Sequence, residues 1–137
     1  MNKESTKLPF GRIIIAAVCV KVFSILFITL VVTIYAFYLA FKAMGAPDQE
    51  LISQFAAKIG DKLTPFFEVL FTFLGGLWVK KRTYLGKIPP GFILGCLVVL
   101  ISIILQFVFK DPFNLMVMVW YMLFILTGWL SGFIKRT

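Results

Sequence analysis

The chain has 137 residues, 61% hydrophobic and 17% aromatic, with 14 Lys and Arg against 6 Asp and Glu, a net charge of +8 and no histidine. Small soluble domains bury only about 60–70% of the surface their unfolded chains expose, so this much apolar surface excludes a soluble fold and makes a bilayer the solvent. The absence of histidine, of a P-loop and of any nucleophile–base or cofactor motif argues against an enzyme, and no nucleic-acid motif accompanies the positive charge.

In chain order, the polar segment MNKESTKLPFGR leads into a first span, over about 13–43. Its apolar stretch is far longer than the ~7–15 residues of a signal h-region, so it is read as a membrane span rather than a cleaved leader. The core of that span is Val22–Phe41, bracketed by Lys21 and Lys42, and Lys21 is expected to snorkel to the headgroups. Gly45-Ala46-Pro47 then breaks the helix. Leu51, Ile52, Phe55, Ala56 and Ile59 fall on one helical face, which predicts a short amphipathic helix over about 48–60 on the membrane surface. Asp48 is its N-cap and Gly60 its stop.

A second span follows over about 64–80, with Thr64 as cap and Pro65 at the first helical position. A basic loop ends at Pro89-Pro90, a third span covers 91–109, Lys110-Asp111-Pro112 makes a turn, and a fourth span covers 113–134. The expected fold is therefore an all-α integral membrane protein in one domain: a four-helix bundle of four transmembrane helices, with the surface helix between spans one and two. Lys and Arg concentrate on the side that carries both termini, so both termini are expected in the cytoplasm, and a bacterial plasma membrane is the expected location.

Every span carries a small or polar stripe. In the first it is Lys21, Ser24, Ile28, Val31, Tyr35, Tyr38 and Lys42. Gly75, Gly76, Gly91, Gly95, Gly128 and Gly132 form helix-packing stripes, two of them GxxxG patterns, near the cytoplasmic side. Glu68, the sole acid within an apolar span, is placed in the outer leaflet close to Pro65. Gln106, Asn114, Tyr35 and Tyr38 are its expected polar neighbours, together a candidate proton or ion cluster. Lys80, Lys81, Arg82, Lys87, Lys135 and Arg136 make a basic face for anionic lipid or an acidic partner. Cys19 and Cys96, far apart and within apolar runs, are read as buried small hydrophobes; no metal site or cofactor is expected.

These features predict a non-catalytic subunit or assembly protein that associates with itself or with another membrane protein through glycine-lined helices. The alternative is a small oligomeric transporter or channel using Glu68. In size and span count the chain resembles small multidrug transporters, but those carry their coupling glutamate in the first helix, where this chain has none.

Overall fold

The computed structural model describes residues 9–80 and 88–134 as four helices: α1 (Phe10–Ala43), α2 (Gln49–Val79), α3 (Pro90–Phe109) and α4 (Leu115–Ser131). The protein is all-helical, and α1, α2 and α3 are long and apolar enough to cross a membrane; α4, at 17 residues, is shorter. Within the described residues, α2 and α3 each touch all three other helices, while α1 and α4 do not meet.

Local chemistry sets most helix ends. Met44 and Lys110 adopt the left-handed conformation that closes α1 and α3. The Asp48 side chain accepts a hydrogen bond from the Glu50 N–H, and Asn114 accepts one from Val117, so each caps the helix it opens. Pro90 occupies the start of α3, where its missing N–H costs nothing.

The stop expected at Gly60 is absent, and so is the fresh start at Pro65. Residues 49–79 form one helix with Pro65 inside it. The amphipathic segment is therefore the opening half of α2, and Phe55 on its apolar side stacks on Tyr35 of α1 with ring centroids 3.7 Å apart. On the other side of Pro65, Phe67 packs against Phe27. A proline removes one backbone hydrogen bond, but a full break among apolar neighbours would leave more backbone groups unpaired, so the helix runs on.

One end of the molecule, the base, gathers Pro9, Val79, Pro90 and Ser131. There the Arg12 guanidinium lies over the Trp78 ring at 5.7 Å, tying the start of α1 to the end of α2. Lys80 Nζ donates to the carbonyls of Gly132 and Ile134, satisfying groups left open at the end of α4. The buried apolar core lies wholly in this half: Ile13, Ala16, Ala17 and Val20 from α1, Val79 from α2, Leu94 and Val98 from α3, and Phe124 from α4.

Glycines bring the backbones together at the base. A Cβ on Gly91 would strike the Gly128 carbonyl and Ser131 Oγ; one on Gly128 would strike the Gly91 carbonyl. A Cβ on Gly95 would come within 2.6 Å of the Phe124 carbonyl oxygen, and one on Gly132 within 2.7 Å of Pro89 Cβ. Gly76 faces Ser131, whose hydroxyl is fully buried and donates to the Gly128 carbonyl. Gly75 is looser, since a Cβ there meets first the movable Leu94 Cδ2 at 3.1 Å. Gly60 has open space around it.

This contrast is directly testable. Gly128→Ala forces two backbones apart and is expected to lose about 1–3 kcal/mol or more by overpacking. Gly60→Ala is expected to gain about 0.5–1 kcal/mol, because alanine fits a helix interior better than glycine. Reversible denaturation of both variants in mixed micelles reads the two signs.

Candidate functional site: a buried ion pair across three helices

Lys21, Glu68 and Ser102 come from three different helices and meet in one place. Lys21 Nζ donates to Glu68 Oε1 at 2.7 Å and to Ser102 Oγ at 2.6 Å. The Ser102 hydroxyl in turn donates to the Val98 carbonyl at 2.8 Å. Lys21 is 9% exposed and Glu68 8%. A lysine or glutamate alone in hydrocarbon is costly, by about 2.5–3.5 kcal/mol for Lys on insertion scales; together they are neutral and each supplies the other's hydrogen bond.

The position is deep. At 1.5 Å per residue, Lys21, Glu68 and Ser102 each lie roughly 16–18 Å from the base along their own helices, a length comparable to half of a ~30 Å hydrocarbon core. This corrects two expectations. Lys21 does not snorkel, because a carboxylate closer than any headgroup takes its charge. Glu68 is not near the start of its helix, because α2 begins at Gln49 rather than at Pro65.

The polar residues grouped with Glu68 from sequence are spread over several places. Gln106 lies one turn beyond Ser102, where it accepts from the Tyr121 hydroxyl at 2.7 Å and donates to the Pro112 carbonyl at 3.0 Å. Asn114 is occupied as the α4 cap. Tyr35 is stacked on Phe55, and Tyr38 is exposed. The partners that sequence reasoning missed are Lys21, Ser102 and Tyr121, although each lies on a polar or small stripe. The signal was available: Lys21 is the one cation and Glu68 the one acid inside these apolar runs.

Thr72 lies one turn from Glu68 toward the base. It is fully buried, and its Oγ1 is the one buried side-chain polar atom among the described residues without a hydrogen-bond partner. Ser24, also fully buried, returns its hydroxyl to the Val20 carbonyl at 2.8 Å.

Two surface grooves stand out. One, of about 550 Å³, runs between α1 and α2 and is lined by Cys19, Phe23, Phe27, Phe71, Gly75 and Trp78 among others. The other, of about 210 Å³, lies at the α3–α4 turn beside Gln106 and Lys110. Neither is lined by Lys21, Glu68 or Ser102. Among the described residues no three of His, Cys, Asp and Glu lie close enough to hold a metal ion, and both cysteines are free thiols. Of the expected basic face, Lys80 is engaged with the end of α4; Lys81, Arg82, Lys87, Lys135 and Arg136 lie outside the described residues. Comparison of the chain with protein-family models, curated proteins and solved structures finds no significant match.

Truncating one member of a buried pair strands the other charge, which typically costs about 3–5 kcal/mol, whereas replacing both with apolar groups can be neutral. Lys21→Met and Glu68→Leu are each expected to destabilise strongly, and the double variant to recover most of the loss. A denaturation-based double-mutant cycle measures this coupling. Thr72→Val removes an unpartnered hydroxyl at nearly constant volume. It is expected to be neutral or to stabilise by about 1 kcal/mol in the same assay.

Proposed function

We propose that the protein is a non-catalytic membrane subunit or assembly protein. It crosses a bacterial plasma membrane four times, with both termini in the cytoplasm and anionic lipid at the cytoplasmic face. The observation that carries this reading is the neutralised interior. The one acid in the apolar spans is occupied by Lys21, and the packing glycines are closed by other residues of the same chain, Gly91 against Gly128, Gly76 against Ser131 and Gly95 against Phe124. Exposed apolar side chains line the outside of all four helices, among them Leu30, Ile34, Phe37 and Phe41 of α1, Phe107 of α3 and Met122 of α4. A partner would dock on this lateral surface rather than on the glycine stripes.

Four spans are supported by the apolar composition of α4, with Phe113 before it and Phe133 and Ile134 after it lengthening the apolar stretch toward what a bilayer needs. The orientation is supported by the basic residues near the base.

The alternative reading, a small transporter or channel, has the depth of Glu68 in its favour, since ionisable groups near the bilayer centre mark many ion paths. Against it, Lys21 already supplies the counter-charge that a transported cation or proton would provide.

Mass spectrometry of the protein gently extracted from its native membrane separates the two. The assembly reading expects a stoichiometric complex, and proteoliposomes of the pure protein are expected to show no proton or cation flux above empty vesicles. A lone monomer that conducts protons or cations, with flux abolished by Glu68→Gln, would overturn it.

A further inference from the structure

We propose that the groove between α1 and α2, with Arg12 at its mouth, binds one phospholipid of net negative headgroup. Its phosphate sits on Arg12 and an acyl chain lies along the groove. The proposal rests on the membrane reading above and deepens its anionic-lipid element; it needs no protein partner.

The groove follows from side-chain size. Its walls are the large outward side chains Ile15 and Phe23 of α1 and Leu74 and Trp78 of α2, each about half exposed. Between them stand Ala16, Cys19 and Gly75, too small to fill the space. The groove holds about 550 Å³, within the ~300–1,000 Å³ of sites that take apolar ligands of moderate size. On α1 its lining runs from Ile15 to Phe27, about 18 Å at 1.5 Å per residue. Half of a ~30 Å hydrocarbon core is roughly 15 Å, so the groove has the length of one leaflet's acyl chain. Aromatic rings bridge the two helices at its inner end, where the Phe27 centroid lies 5.0 Å from that of Phe67 and 5.7 Å from that of Phe71.

Apolar side chains elsewhere on the surface meet lipid as well. The charge at the mouth sets this groove apart. Trp78 belongs to both parts of the site: it lines the groove, and the Arg12 guanidinium lies over its ring at 5.7 Å. The ring attracts the cation but offers no oxygen, and a guanidinium presents five N–H donors that match a phosphate bidentately. Arg12 is exposed, and among the described residues no carboxylate pairs with it. The described segments at the base, 9–20, 69–80, 88–98 and 124–134, contain Arg12 and Lys80 and no acid. Lys80 is taken up by the Gly132 and Ile134 carbonyls. A net-negative headgroup therefore meets a cation that these segments leave unbalanced, whereas the cationic group of a zwitterionic headgroup meets no counter-charge there. Trp78, an apolar ring with one polar N–H, suits the boundary between headgroup and chain.

Native mass spectrometry of the purified protein in micelles, with equal amounts of phosphatidylglycerol and phosphatidylcholine, tests the headgroup. The expected result is one phosphatidylglycerol per chain, retained several-fold over phosphatidylcholine. Arg12→Gln is expected to bring the two lipids to parity. Lys42→Gln, the same charge change at the exposed far end of α1, is expected to keep the preference. Phosphatidylglycerol carrying a diazirine on its acyl chain tests the groove on the unaltered protein in bilayers. Label is expected on Cys19, Phe23 and Phe71 several-fold above the exposed Phe107 and Met122 of the other helices. Equal retention of the two lipids, a preference unchanged by Arg12→Gln, or label spread evenly over the four helices would overturn the proposal. A stoichiometric protein complex from native membranes with no selective lipid would overturn this site and leave the assembly reading standing. Selective lipid on a lone chain would support the site and count against the assembly reading.

Discussion

The arrangement of this protein depends on one neutral contact, the Lys21–Glu68 ion pair under Ser102, where α1, α2 and α3 meet about 16–18 Å from the base. Apolar contact alone is a weak guide to register in a bilayer, because lipid tails are as apolar as the side chains they would replace. A buried ion pair is different. It discriminates against every register that separates its members, since each such register leaves a charge in hydrocarbon. With one group from each of α1, α2 and α3, it fixes three helices at once. The core lies on the base side of this layer, from Ile13 to Val20 in α1 and from Leu94 to Val98 in α3.

Below the pair, α3 and α4 approach through Gly91, Gly95 and Gly128, and α2 joins them where Gly76 meets Ser131. Van der Waals contact and backbone proximity do there what water expulsion does in a soluble core. Above the pair α3 ends within about 10 Å, beyond which α1 and α2 run on together, with Phe55 of α2 stacked on Tyr35 of α1. The base holds the buried core, while both halves expose apolar side chains on their outer faces.

Much of this was legible in the sequence. The Gly45-Ala46-Pro47 break, the Asp48 cap, the Asn114 start and the turn at Lys110 stand where their residue types place them. Of the stripe on the first span, Lys21 and Ser24 are buried and Ile28, Val31 and Tyr35 half-buried, whereas Tyr38 and Lys42 are exposed. What misled was Pro65. Its chemistry suits a helix start, and nothing local distinguishes that from a proline carried inside a long apolar helix, as α2 carries it. That single boundary moved Glu68 from mid-helix to a shallow position and hid its partner. The match between Lys21 and Glu68 is a tertiary fact, set by how far each helix runs from the base. It becomes visible only once α2 is known to be one helix.

The most direct test of the account is the distance between these two side chains in a bilayer. Magic-angle-spinning NMR on protein labelled with ¹⁵N at the lysine Nζ and ¹³C at the glutamate carboxyl, with Lys21→Met as the assignment control, measures it. The account predicts a strong dipolar coupling that disappears in the variant, as a 2.7 Å N···O contact requires. A Glu68 carboxyl with no coupling to any lysine nitrogen would contradict it.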